Sequence, residues 1–251
     1  MVKILISGAL GRMGGKVSEA CSVTDDVKVV CGVDIAADNT RPFPVYDSFD
    51  KVTEKPDVII DFSSPAALDN IMKYITENRC PAVLCATGYS EEQIATIKKA
   101  SENTAIFRSA NMSVGINVMI GLIKKAAALL DGYDIEIIEK HHNKKVDAPS
   151  GTALMLADAI KEELPQKFYV YGREGKVGKR DKNELGIHAV RGGNIVGEHE
   201  VLFAGANEIL SFTHSAADRS VFADGAVRAA IFIHGKTKGL YDMSDLLNQA
   251  L

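Results

Sequence analysis

The chain has 251 residues, 46% hydrophobic and 25% charged, enough to bury a sizeable core as one large domain or two modest ones. A formal charge of -4, with no Lys/Arg block longer than two residues, excludes the electrostatic footprint of a nucleic-acid or membrane-surface binder and points to a small-molecule partner. Cys21, Cys31, Cys80 and Cys85 never form C-x-x-C, so they predict buried free thiols in a reducing cytoplasm rather than a disulfide framework or a zinc knuckle.

The opening MVKILISGALGRMGG carries an apolar run too short for a secretory signal or a membrane span, and predicts a first strand. Short β-branched runs follow, VKVVCGVD, DVIIDFS, AVLCATG and TAIFRSA, alternating with helical patterns such as PAALDNIMKYITENR and SEEQIATIKKASE. That is the rhythm of a parallel sheet covered on both faces. Ser90 and Gln93 stand at capping-box spacing. From about residue 112 the pattern changes to a long helix, SVGINVMIGLIKKAAALL, the strand DIEIIEKHH and the helix GTALMLADAIKEEL. Strands then dominate, KFYVYGR, GIHAVRGG, NIVGEHEVLFAG and NEILSFTHSA, which predicts a second domain of α+β type. The segment GREGKVGKRDKNELG is the best candidate for a mobile loop. The tail from Ser220 returns to helix, with Ala226, Ala229, Ala230 and Ile233 forming a small apolar face that packs back on the first domain.

Gly8, Gly11 and Gly14 follow the first strand at the mouth of a helix. Gly8 permits the tight turn, Gly11 lets the backbone approach a pyrophosphate, and Gly14 allows close helix–strand packing. Asp34 ends the second strand, twenty residues after Gly14, where a carboxylate can accept hydrogen bonds from an adenosine ribose. It would repel the 2'-phosphate of NADPH, and Ile35 offers no cation, which favours NADH; Arg12 in the loop keeps NADPH possible.

EKHHNKKVDAPSGTAL, residues 139–154, gathers proton-handling and anion-handling groups before a helix. On a strand, His141 and His142 point to opposite faces and cannot do the same job. Lys145 follows four residues after His141, Asp147 can orient a base or a lysine, and Ser150, Gly151 and Thr152 open a helix with Ser150 as N-cap. Together they fit a carboxylate-bearing substrate, held by the helix N-terminus and a lysine, with His or Lys donating a proton. His188, His199, His214 and His234 are scattered and no H-x-x-x-H helix occurs, so no metal is expected.

The motifs GALGRMG, ANMSVGINVM, EKHHNKKVDAPSGTAL, GNIVGEHEVLF and DRSVFADGAVRAA run nearly end to end. In them the chain resembles the bacterial and plant 4-hydroxy-tetrahydrodipicolinate reductases, also called dihydrodipicolinate reductases. The resemblance implies an α/β chain: a Rossmann-like parallel-sheet domain for the dinucleotide (1–112 and 219–251) and an α+β mixed-sheet domain for substrate binding and oligomerisation (113–218). It implies an NAD(P)H-dependent reduction in the diaminopimelate route to lysine, and a homotetramer joined through NIVGEHEVLF and its neighbours. By match, Gly8, Ala9, Gly11, Arg12 and Met13 would cradle the cofactor phosphates and Asp34 the ribose. Cys85, Ala86, Thr87, Ser109, Ala110, Asn111 and Met112 would line the nicotinamide side, with Arg219 and Phe222 closing near it. His141 and Lys145 would handle the proton, and His142, Lys145, Ser150, Gly151 and Thr152 would hold the substrate. Where the family commonly shows G-T-T-G, this chain reads CATG, Cys85 to Gly88.

Overall fold

A computed structural model describes residues 1–249, which form two compact units: Met1–Val114 joined by the chain from Arg219 onward, and Gly115–Asp218. The first unit contains, numbered in chain order, β1 (Val2–Ser7), α1 (Arg12–Ser22), β2 (Val27–Val33), β3 (Val45–Tyr46), β4 (Val58–Asp61), α2 (Leu68–Asn78), β5 (Ala82–Leu84), α3 (Glu91–Ser101) and β6 (Ala105–Arg108). Late in the chain α6 (Ser220–Ile233), β12 (Gly239–Tyr241) and α7 (Met243–Asn248) complete it. Among the described residues its sheet has seven strands in the order β12-β6-β5-β4-β1-β2-β3, every neighbouring pair parallel.

Side chains alternate between two cores, as the two-residue period requires. Ile4, Ile6, Val58, Ile60, Val83 and Phe107 face α1 and α6. Leu5, Ile59, Ala82, Leu84 and Ile106 face α2 and α3 through Leu68, Ile71, Ile75 and Ile97. Each such fully buried side chain contributes about 1.5–3 kcal/mol. The sheet grows in opposite directions from β1, through β2 on one side and β4 on the other, so a crevice opens beyond the carboxyl ends of those strands. The tail is helical in α6 and α7, and α6 does pack on α1 and the sheet. Between them β12 adds an edge strand beside β6, and β3 closes the other edge; two or three residues are too few to show an alternation in sequence.

The second unit contains α4 (Val114–Leu129), β7 (Asp134–His141), α5 (Gly151–Glu163), β8 (Phe168–Tyr171), β9 (Glu184–Arg191), β10 (Gly197–Ala204) and β11 (Ile209–Ala216). Its mixed sheet runs β11-β10-β7-β9-β8, with β10 antiparallel to both neighbours and β7, β9 and β8 mutually parallel. Ile135, Ile137, Leu185, Ile187, Val201 and Phe203 pack against α4 and α5. The opposite face carries Glu136, Ile138, Lys140 and Leu202, all partly exposed. The charged segment after β8, expected to be mobile, is pinned instead: Arg173 and Arg180 both donate to Glu136 at 2.9 Å, and Arg180 also reaches Asp134 at 2.7 Å. Burial alone would raise the Glu136 carboxyl; its bonds from Arg173, His188 and Arg180 outweigh that and pull it down to about 2. These partners lie 37 to 46 residues apart in sequence, beyond the reach of local patterning.

Candidate functional site

The crevice of the first unit is built by what the glycines leave out. Gly8 has φ +79°, and a Cβ on it would lie 3.0 Å from the backbone of Phe62 and Ser63. A Cβ on Gly14, inside the first turn of α1, would come within 2.2 Å of the Gly8 carbonyl oxygen. Gly11 is the N-cap of α1, no side chain caps that helix, and its first turn holds no acidic residue. The N-terminus of α1 therefore borders the crevice with no side-chain cap and no acidic residue of its own. Ala9 is buried beneath the loop, Met13 is half-buried against the core, and Arg12 is exposed.

Asp34 stands one residue beyond β2. Its Oδ2 accepts from Leu10 N–H at 2.8 Å and its Oδ1 from Ile35 N–H at 2.7 Å, so the carboxylate braces the glycine loop. The cavity here, about 550 Å³, is lined by Gly8, Gly11, Asp34, Phe62 and Ser63 among others. A second cavity of about 330 Å³ shares Gly8 and Asp34 and is lined farther out by Asp47, Asp50, Lys73 and Glu77. The wall at residues 62–64 was not singled out from sequence, although its place after a parallel strand is the signal that could have found it. Asp61 secures that wall: it is fully buried, and Ser63 donates to it through N–H at 3.0 Å and Oγ at 2.5 Å. Burial raises its carboxyl despite those bonds.

Cys85–Thr87 follow β5, and Ser109–Met112 follow β6, which puts both segments at the same carboxyl edge of the sheet. Cys85 is buried, its N–H donates to the Asp61 carbonyl at 2.9 Å, and burial followed by the charge of Asp61 pushes its thiol well above the ordinary range. Ala86 is half-buried and Thr87 and Ala110 are exposed. Ser109 Oγ donates to the Asn111 carbonyl at 2.8 Å, and Asn111 Oδ1 accepts from Ser113 N–H at 2.8 Å, which folds this segment into a tight turn. Met112 is seated on α6 at Gly225, where a Cβ would lie 1.7 Å from the Met112 carbonyl oxygen. Arg219, exposed, is the N-cap of α6, and Phe222 packs half-buried in its first turn.

In the second unit β7 carries a buried row, Ile135, Ile137, Glu139 and His141. Glu139 is 0% exposed. Its oxygens accept from Arg191 Nη1 and Nη2 at 2.8 and 2.7 Å and from Ser150 N–H at 2.9 Å, and His141 Nδ1 lies 2.7 Å away. Burial alone would raise the Glu139 carboxyl; the bonds from Arg191, His141 and Ser150 outweigh it and hold it below the usual carboxylate range. His142 lies past the strand end, and its Nδ1 is buried with no hydrogen-bond partner among the described residues. Lys145 Nζ pairs with Asp147 Oδ1 at 2.8 Å, and this bond first of all lowers the Asp147 carboxyl.

Ser150 is the N-cap of α5: its Oγ accepts from Ala153 N–H at 3.2 Å and meets His199 Nε2 at 3.1 Å. Gly151 and Thr152 form the first turn behind it. His199 is pushed down to about 4 by burial and then by His141, so it is neutral near pH 7. Its ring stands edge-on to that of His141, centroids 5.2 Å apart. Glu139 and Arg191 were given no role from sequence, and His199 only a place in the NIVGEHEVLF segment expected to join subunits, whereas the fold buries it beside His141. Glu139 had a signal, a charged residue in an apolar row two positions from His141; Arg191 and His199, distant in the chain, had none. No group of three or more His, Cys, Asp or Glu able to hold a metal ion occurs among the described residues.

The sequence matches the family model for the dihydrodipicolinate reductase N-terminus over residues 2–112 and that for the C-terminus over residues 115–247. It is 52% identical over 252 residues to a 4-hydroxy-tetrahydrodipicolinate reductase of Caldanaerobacter subterraneus subsp. tengcongensis, covering 99% of both chains. To one of Clostridium tetani it is 48% identical over 250 residues, covering 99% of this chain and 98% of the other. The fold is similar to that of a dipicolinate-bound dihydrodipicolinate reductase from Paenisporosarcina sp. TG-14, with a TM-score of 0.81 at 24% identity, covering 96% of this chain and 97% of that one. With both halves matched and half of all residues shared along the full length, the chain belongs to the dihydrodipicolinate reductase family.

Proposed function

We propose that the chain reduces 4-hydroxy-tetrahydrodipicolinate to tetrahydrodipicolinate in the diaminopimelate route to lysine, with NADH favoured over NADPH. It is an NAD(P)H-dependent oxidoreductase of lysine biosynthesis. The observation that carries the reading is the cluster at the end of β7, where an imidazole braced by a buried carboxylate, the Lys145–Asp147 pair and the start of α5 come from one sixteen-residue stretch.

The first unit fits a dinucleotide, because Cβ atoms on Gly8 and Gly14 would fill the cradle and an uncapped helix N-terminus faces it. In this reading Gly8, Ala9, Gly11, Arg12 and Met13 hold the phosphates, and Asp34 the ribose. Cys85–Thr87 and Ser109–Met112 line the nicotinamide side with Arg219 and Phe222. The bound cofactor supplies a hydride. Lys145 and His141 handle the proton that must accompany it. Lys145, His142 and the turn Ser150–Thr152 hold the substrate carboxylates; Ser150 Oγ is already engaged by Ala153 and His199, so its part is to fix that turn.

The preference for NADH rests on charge. Asp34, Asp47, Asp50 and Glu77 line the outer cavity against Lys73, which is paired with Asp50 at 3.0 Å, so a 2'-phosphate would meet an acidic wall. The homotetramer is supported by the open face of the second sheet, where Ile138, Leu202 and the 67%-exposed Ile209 lie uncovered by α4 or α5. Four buried free thiols support a cytoplasmic setting.

The test is nicotinamide oxidation with substrate generated freshly from pyruvate and aspartate semialdehyde, with the product identified. Turnover with both cofactors and the higher kcat/KM for NADH is expected. Tight dinucleotide binding without oxidation of either cofactor would overturn the reading.

A further inference from the structure

Glu139 and His141 share the face of β7 that α4 and α5 cover, because they are two residues apart on a strand. An ionised carboxylate has no proton to donate. Since Arg191 and the Ser150 N–H already hold Glu139 as a carboxylate, the 2.7 Å contact requires that His141 Nδ1 bear the hydrogen. Nε2 is then the nitrogen that takes up and releases the working proton. A separate observation singles out the same atom: a Cβ on Gly197, the first residue of β10, would lie 3.1 Å from Nε2, so the glycine keeps that nitrogen clear. Arg191 extends the arrangement by donating to the Asp147 carbonyl at 2.6 Å, at the residue whose side chain holds Lys145.

We propose that Glu139 and Arg191 form a positioning pair that fixes His141 as its Nδ1–H tautomer and so leaves Nε2 as the nitrogen that exchanges the working proton. Glu139 supplies the acceptor, and Arg191 holds that carboxylate in place through both of its oxygens. Among the described residues His199 from β10 stands edge-on to the ring, with His214 of β11 paired in register behind it, and the charge of Lys145 from the loop reaches His199. His199 and His214 are both lowered by burial, so neither adds charge near neutral pH. The inference rests on the proposed role of His141 in the reduction.

The experiment is nitrogen-15 NMR of the imidazoles in the full-length protein, His141 being assigned by its loss in His141→Gln, alongside kcat and KM for the reduction. The neutral ring is expected to carry its hydrogen on Nδ1. In Glu139→Gln, where one amide oxygen must serve both Arg191 and the ring, the ring is expected to populate the Nε2–H form as well, with kcat falling about 10-fold or more and the substrate KM little changed. A change of tautomer confined to His141, with kcat and not KM affected, is not what a merely structural pair would give. A neutral ring protonated on Nε2 in the wild type, or a tautomer and kcat unchanged in Glu139→Gln, would overturn the proposal. If the variant does not fold, the wild-type tautomer decides. An Nε2–H ring with normal reductase turnover would remove the pair and leave the function standing; the predicted tautomer without any turnover would do the reverse.

Discussion

The two units reach function by opposite means. In the first, the decisive feature is missing side chains: Cβ atoms on Gly8, Gly14 and Gly225 would sit 3.0, 2.2 and 1.7 Å from backbone atoms of neighbouring segments. In the second, it is crowded ones: a fully buried Glu139 is met by Arg191, His141 and Ser150, with His199 next to them. A cradle of close backbone contacts is sensitive first to added volume, whereas a buried ionic cluster is sensitive to a single charge at constant volume. Substitutions that separate size from charge therefore act differently in the two halves.

The largest effect is expected at Gly225→Ala. The added methyl meets the Met112 carbonyl, so α6 or the 109–112 turn must shift, at a cost of about 3 kcal/mol in urea unfolding together with weaker dinucleotide binding. Unchanged stability and binding would break the claim that the first unit depends on absent side chains.

A smaller effect sharpens the other side. His199 titrates at about 4 when folded and near the ordinary 6.5 when unfolded, so the unfolded chain takes up the proton first as pH falls. Stability is full above the unfolded value and is lost on acidification towards pH 4. Between pH 7.5 and 5 the loss attributable to His199 is about 2 kcal/mol. The carboxylate contributions, from Glu136 and Glu139, fade only below about 4.5, whereas His214, also lowered by burial, acts in the same window and direction, so the His199 share is the difference between the wild type and His199→Gln. Urea midpoints at the two pH values check it, and His199→Gln is expected to flatten the dependence.

The smallest is Ser90→Ala. Ser90 and Gln93 form a reciprocal capping box on α3, Gln93 N–H to Ser90 Oγ at 3.2 Å and Ser90 N–H to Gln93 Oε1 at 3.0 Å. Its loss is expected to cost about 1 kcal/mol with kcat/KM unchanged, since this side-chain device in the first unit has no part in the chemistry.

What sequence made legible follows the same division. Gly8, Gly11, Gly14 and Asp34 lie within one strand–helix–strand stretch, so spacing marked that side of the crevice, while the wall at residues 62–64 comes from a separate strand. Alternation along β7 put His141 in the buried row with Glu139, but the strand ends there and His142 lies beyond it; the Ser150 cap stood where spacing put it. Arg191 and His199 were illegible because sheet register brings them to the site: Arg191 lies opposite His141 from β9, and His199 lies opposite Glu139 on the antiparallel β10. The same applies to Arg173 and Arg180, whose carboxylates sit on β7. Composition marked their loop as free, and long-range charge pairing pinned it.

The measurement that bears most directly on the central claim is Lys145→Ala, assayed for NADH oxidation and, separately, for dinucleotide affinity. A fall in kcat of about 100-fold or more with the dinucleotide Kd unchanged is predicted, since the proposed function assigns proton handling to the second unit and cofactor binding to the first. Turnover that survives the substitution, or a Kd that weakens in step with kcat, would contradict it.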